Sequence, residues 1–110
     1  MQENDKPVLI YSTFPNVVCA QKTGADLVSR RLCACVNIVP GMTSIYRWRG
    51  AVETANEAVM IIKTRSSLAD VVIAAVEAQH PYETPALVVV PVEGGSGEYL
   101  AWIMASTRAT

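Results

Sequence analysis

The sequence predicts an α+β fold: a ferredoxin-like βαββαβ sandwich with an extra C-terminal helix and a long hairpin joining its second and third strands. Three observations predict it. Two β-prone runs, at 8–13 and 52–64, are each followed by apolar residues at helical spacing, around 17–32 and 68–79. Residues 35–48 and 52–64 read as the arms of one hairpin turned at Arg49-Gly50-Ala51. A further apolar strand at 86–92 and a short helix at 98–107 complete the order β-α-β-β-α-β-α. Two βα halves joined by a hairpin give an antiparallel sheet with both main helices on one face.

Each element has its own signal. The first strand, VLIYST, is apolar on both faces, and Pro15 behind it suits the first turn of a helix. Val17, Ala20, Gly24, Leu27, Val28 and Leu32 mark that helix, with Asp26 and Arg30 paired on its outer side. Cys35-Val36-Asn37-Ile38-Val39 opens the second strand, Pro40-Gly41 bends or bulges it, and residues 43–48 resume with plain alternation. Leu68, Val71, Val72, Ala75, Val76 and Gln79 mark the second helix, with Ser66 or Ser67 as N-cap. His80-Pro81 ends it, because a residue before proline is pushed out of helical geometry. Gly94-Gly95-Ser96-Gly97 is a loop, and Tyr99, Leu100, Trp102 and Ile103 belong to the last helix. Residues 1–7 are expected as a flexible N-terminus and 8–110 as a single domain.

Composition narrows the function classes. Hydrophobic residues make up 51% and charged residues 17%, enough apolar mass for a core but little charge to cover a monomer's surface. Nine basic residues stand against ten acidic ones with no basic block, which argues against nucleic-acid binding. No apolar run of membrane-spanning length and no signal pattern occurs, so no membrane association and a cytoplasmic location are expected. Cys19, Cys33 and Cys35 make an odd count, read as three reduced thiols acting as small hydrophobes.

An oligomer is expected before any family is considered. The strands around 8–11, 58–62 and 86–90 are apolar on both faces, yet two helices cover only one face. Thirteen strand residues reach about 43 Å, whereas a 15-residue helix spans about 23 Å. The overhang carries Tyr46 and Trp48, whose burial would stabilise by about 2–3 kcal/mol each.

Few residues offer chemistry. His80, the lone histidine, precedes Pro81-Tyr82-Glu83-Thr84-Pro85 and reads either as a helix stop or as a ligand held by a stiff loop. Cys33 and Cys35 form a C-x-C that could share a soft metal or simply sit in the core. Glu53 and Glu57 project from one face of a strand, as solvated partners of Arg47 or Arg49 or as ligands of a hard cation. Lys63, inside an apolar strand, either snorkels to the sheet end or pairs across an interface. The Gly-rich loop before the last helix could cradle an anion. No nucleophile–base–acid constellation is visible, so no enzyme is expected.

Ala34-Cys35-Val36-Asn37-Ile38-Val39-Pro40-Gly41-Met42-Thr43-Ser44-Ile45-Tyr46-Arg47-Trp48-Arg49-Gly50 resembles the signature hairpin of the CutA divalent-cation tolerance family. Met60-Ile61-Ile62-Lys63-Thr64, His80-Pro81-Tyr82-Glu83-Thr84-Pro85 and Tyr99-Leu100-Ala101-Trp102 match its other landmarks in order. The resemblance implies a cytoplasmic homotrimer with hairpins pairing between neighbours and a response to divalent metal ions, copper above all. Its interface would include Tyr46, Trp48, Met60 and Trp102. Metal, Cu(II) or another divalent ion not required for folding, would be held by His80, Glu83 and Glu57 across subunits. Lys63, Tyr82 and Cys35 would line an inter-subunit cleft. The copper site proposed for the family uses a Cys at the end of the first strand and a His-His pair; here Ser12 and Gln79-His80 occupy those positions. The alternatives are a trimeric signalling-type regulator binding a small anion in the cleft, or a scaffold for an unknown protein partner.

Overall fold

The computed structural model describes residues 4–109 of the 110-residue chain. Its elements run β1 (Pro7–Phe14), α1 (Val17–Ser29), β2 (Cys35–Trp48), β3 (Ala51–Arg65), a 3-10 turn (Ser66–Leu68), α2 (Ala69–Gln79), β4 (Leu87–Pro91) and α3 (Gly97–Ser106). The sheet order is β2-β3-β1-β4, with β1 antiparallel to both β3 and β4 and β2 antiparallel to β3. This is the expected βαββαβ sandwich with an added helix.

Alternation puts Val8, Ile10, Ser12 and Phe14 of β1 and Ala58, Met60, Ile62 and Thr64 of β3 on one buried face. Ala20 and Leu27 of α1 and Val72 and Val76 of α2 close over it, joined by Leu32 and Leu68. Gly24 lets α1 sit hard against β2: an added Cβ would lie 2.7 Å from Val36 Cγ2. Met60 lies in this core at 0% exposure, so it cannot serve as the interface residue the resemblance suggested.

Local chemistry differs from expectation at three ends. Pro15 precedes α1 rather than starting it, because Asn16 is the N-cap and its Oδ1 accepts from Cys19 N at 2.8 Å. The same helix stops at Ser29, short of Leu32. Arg31 turns left-handed at φ 57°, and the amides of Arg31 and Leu32 close back on Val28 and Leu27, each at 3.0 Å. Neither Ser66 nor Ser67 caps α2 through its own side chain. Asp5 supplies the acceptor, taking Ser67 N at 3.0 Å, Ser66 Oγ at 3.1 Å and Ser67 Oγ at 2.7 Å. The expected flexible tail is therefore tied down at Asp5, and β1 begins at Pro7; residues 1–3 lie outside those described.

The hairpin behaves as read. A register break between Val39 and Met42 marks Pro40-Gly41, and Arg49-Gly50, at φ 49° and 83°, forms the two-residue turn between Trp48 and Ala51. Beyond the break, Ile45 is 72% and Val52 63% exposed. The arm stretches the molecule to 45 × 26 × 24 Å and gives a radius of gyration of 14.6 Å, against about 13 Å for an ordinary domain of this length. On the sheet's second face α3 crosses over β3 and buries Ile103 to 2% exposure. Among the described residues no helix is long and apolar enough to cross a membrane.

Candidate functional site at the root of the hairpin

Glu57 pairs with Met42 where the exposed arm joins the covered part of the sheet. Tyr82 Oη donates to Glu57 Oε2 at 2.7 Å. Tyr82 is placed by the loop after α2: its backbone N donates to His80 Nδ1 at 3.1 Å. With that nitrogen accepting, His80 Nε2 carries the proton and donates to Thr13 O at 2.8 Å. The imidazole also stacks on Phe14, ring centres 4.4 Å apart. The chain Glu57–Tyr82–His80–Thr13 thus joins β3, the loop and β1.

Electrostatics keep the two ends of the Tyr82–Glu57 bond in complementary states. Burial pushes the Glu57 carboxyl up, but the Ser44, Tyr82 and Thr13 hydroxyls outweigh it and hold the group below the usual carboxylate range. Burial, reinforced by Glu57, pushes the Tyr82 phenol up, so it remains a donor. At neutral pH Glu57 is an anion at the base of the arm.

The expected ligand set is not gathered in one chain. Glu83 turns to the hairpin tip, pairing with Arg49 at 2.6 Å with both side chains about 70% exposed. Both ring nitrogens of His80 are engaged. Among the described residues no group of three or more His, Cys, Asp and Glu is arranged to hold a metal ion. Within one subunit, His80, Glu83 and Glu57 form a hydrogen-bonded network and a separate surface ion pair, which do not fit a divalent ion as a common site.

The expected cleft residues also divide. Cys35 and Lys63 are direct cross-strand partners, but Tyr82 stands with Glu57, six residues and about 20 Å along β3 from Lys63. Lys63 instead reaches α3: Nζ donates to Tyr99 Oη at 2.8 Å and lies 5.1 Å from that ring's centre. That bond, ahead of the opposing effect of burial, raises the lysine above its ordinary value. Trp102 packs beside Tyr99 at 5.5 Å and is 44% exposed, while Tyr46 and Trp48 stay on the arm at 41% and 37%. Cys33 is a core thiol, pushed up to about 12 by burial above all, and all three cysteines are free. Tyr99, Thr13 and Phe14 were missed as functional neighbours. A lysine in an apolar strand signals a hidden partner, but not which one.

Fold and site together define an α+β sheet protein whose second and third strands run out into an uncovered arm rooted on an ionised carboxylate. The chain belongs to the CutA1 divalent ion tolerance protein family, whose model matches residues 8–106. The rice protein CutA 1, chloroplastic, is 43% identical over 92% of this chain. The divalent-cation tolerance protein CutA of Pectobacterium atrosepticum is 41% identical over 96% of this chain and 99% of its own length. The chain spans 57% of the rice protein and 61% of the chloroplastic CutA of Arabidopsis thaliana. Among solved structures, CutA1 from Oryza sativa superposes with a TM-score of 0.92 at 41% identity, covering 96% of both chains. A periplasmic divalent cation tolerance protein CutA from Archaeoglobus fulgidus gives 0.88 at 39% identity, covering 91% of this chain and 97% of that one.

Proposed function

We propose that this protein is a homotrimeric divalent-cation tolerance protein that binds copper or another divalent ion weakly under metal stress, in the cytoplasm, without a catalytic step. The family's name supplies the ion class. The observation that carries the reading is the place of Glu57, an anion at the foot of an arm whose apolar side chains Ile45 and Val52 stand 72% and 63% exposed. Neighbouring copies pairing along the arm would bury Ile45, Tyr46, Trp48 and Val52 and bring further donors to that carboxylate. A site completed only by assembly, from a network already satisfied within each chain, binds weakly because the ion must displace existing hydrogen bonds.

The test combines light scattering with calorimetric titration of Cu(II) and Zn(II). A mass of three chains at micromolar concentration and measurable binding that weakens at least tenfold in Glu57→Gln support the reading. A monomeric parent, or identical affinity in Glu57→Gln, overturns it. His80→Ala asks separately whether the imidazole is a ligand; unchanged affinity assigns it to holding Tyr82 alone. The alternative of an anion-binding regulator draws on Lys63 in the sheet's second face. It would show itself as a nucleotide-dependent rise in melting temperature that Lys63→Gln abolishes.

A further inference from the structure

Helix α3 carries no basic residue in its own last turn, yet its final carbonyls are all met from elsewhere. Thr107 Oγ1 lies 3.1 Å from Ile103 O. Arg65 Nη2 donates to Met104 O. Arg31 donates to Ala105 O at 3.0 Å and to Ser106 O at 3.5 Å. A helix end leaves four such acceptors and a partial negative charge, so two arginines from other elements serve both needs. The backbone agrees: Arg31 holds its left-handed turn where its carbonyl accepts from Arg108 N at 2.9 Å.

Arg65 is shared. Its Nε donates to Thr107 Oγ1 at 2.8 Å, and its Nη1 pairs with Asp5 Oδ2 at 3.1 Å, with side chains 16% and 3% exposed. Asp5 in turn holds Ser66 and Ser67, where the chain enters α2. One buried carboxylate and one arginine therefore link the N-terminal segment, the start of α2 and the end of α3. A buried charge deprived of its partner is costly, so neither half of this link is indifferent to the other.

We propose that Asp5 and Arg65 form a coupling strap through which docking of the N-terminal segment sets the order of the last turn of α3. When the segment around Asp5 is seated, Arg65 is neutralised and aimed, and the α3 carbonyls are capped. When the segment is released, Arg65 loses its counter-charge and the α3 end frays. A change to the N-terminal segment would in this way alter a surface at the other end of the chain.

Hydrogen exchange of the full-length protein, followed by mass spectrometry, tests the strap from both ends. Asp5→Asn keeps shape but sets an amide NH2 against Arg65 Nη1. It should raise exchange roughly tenfold or more in residues 103–107, the size expected for loss of a charged hydrogen bond, and leave residues 42–57 of the arm unchanged. Thr107→Val acts from the far side. Because coupling is reciprocal, it should raise exchange in residues 66–69, which Thr107 reaches only through Arg65 in the hydrogen-bond network. A rise in Asp5→Asn confined to residues 4–8 and 66–69 overturns the proposal, as does a uniform rise that includes the arm. An unchanged 66–69 segment in Thr107→Val overturns it even if Asp5→Asn does not fold.

Discussion

Strands β2 and β3 are two different structures along their length. From Ala58 to Thr64, β3 alternates buried and half-buried under the helices; from Ala51 to Glu57 the same strand is almost wholly exposed. The arm half, Ala51–Glu57, is richer in polar residues than the base, yet β-branched apolar residues occur in both: Val52 of the arm and Ile62 of the base stand at 63% and 0% exposure. What differs is what lies across from them. Helices α1 and α2 reach the base and stop, and the arm continues past their ends. A β-branched pattern therefore specifies a strand, whereas its burial is decided by whether another element is long enough to meet it.

The largest effect that separates the regions is a cavity. Phe14, at 0% exposure and stacked on His80, should lose about 3–5 kcal/mol on Phe14→Ala in urea unfolding. Val52→Ala at the arm should cost the isolated chain no more than about 0.5 kcal/mol. If Val52→Ala proves as costly as a core change in the parent assembly, the arm is buried by a neighbour, and the difference between assembled and dissociated protein measures that burial.

A smaller contrast uses glycine. At Gly24 the obstacle is packing: the new Cβ meets Val36 at 2.7 Å, and Gly24→Ala should destabilise by about 1–3 kcal/mol through overpacking. At Gly50 nothing lies within 4 Å, but φ is +83°, so Gly50→Ala should cost about 1 kcal/mol through backbone strain alone. A second-site change of Val36→Ala should relieve the first substitution and leave the second untouched, as double-mutant melting curves would show.

The element order, the hairpin with its break at Pro40-Gly41, and the end of α2 at His80-Pro81 were legible because each rests on local chemistry: periodicity, a missing amide, a turn that needs positive φ. The overhang was legible from lengths alone. What escaped were features made by residues far apart in sequence. No reading of residues 66–67 could show that their cap comes from Asp5, nor could residues 97–106 show that α3 is finished by Arg31 and Arg65. Arg31 as the left-handed residue after α1 defeated the glycine rule for the same reason, since tertiary hydrogen bonds hold it there. At the site, the family resemblance put Glu57 and the His80–Glu83 loop in one candidate set, but it could not show that Glu83 turns toward Arg49.

Acid should reach both regions through carboxylates of the same kind. Burial pushes Asp5 and Glu57 up, yet hydrogen bonds from Ser67, Ser66 and Arg65 in one case, and from Ser44, Tyr82 and Thr13 in the other, leave both below their ordinary values. A carboxyl lowered on folding contributes stability above its unfolded pKa, about 3.9 for Asp and 4.3 for Glu, and loses it as pH falls through the folded value. The stability gap between parent and Glu57→Gln, or parent and Asp5→Asn, should be steady from pH 7 to about 5 and close below about 4. A gap that persists at pH 3 would assign the loss to shape rather than charge.

The smallest expected effect bears most directly on what positions the arm. Arg49 and Glu83 join the hairpin tip to the loop after α2 at 2.6 Å, but both side chains are about 70% exposed. An ion pair in that setting is screened by water and salt and must order two long side chains, so Glu83→Gln should change stability by no more than about 0.5 kcal/mol, and less in high salt. So weak a tether cannot fix an arm carrying Tyr46, Trp48, Ile45 and Val52 in the open. If hydrogen exchange in residues 42–57 is nevertheless slow in the parent, and equally slow in Glu83→Gln, the protection comes from contacts outside the single chain. It should then fall on dilution below the assembly's dissociation range, while exchange at Ile10 and Ile62 in the base holds steady.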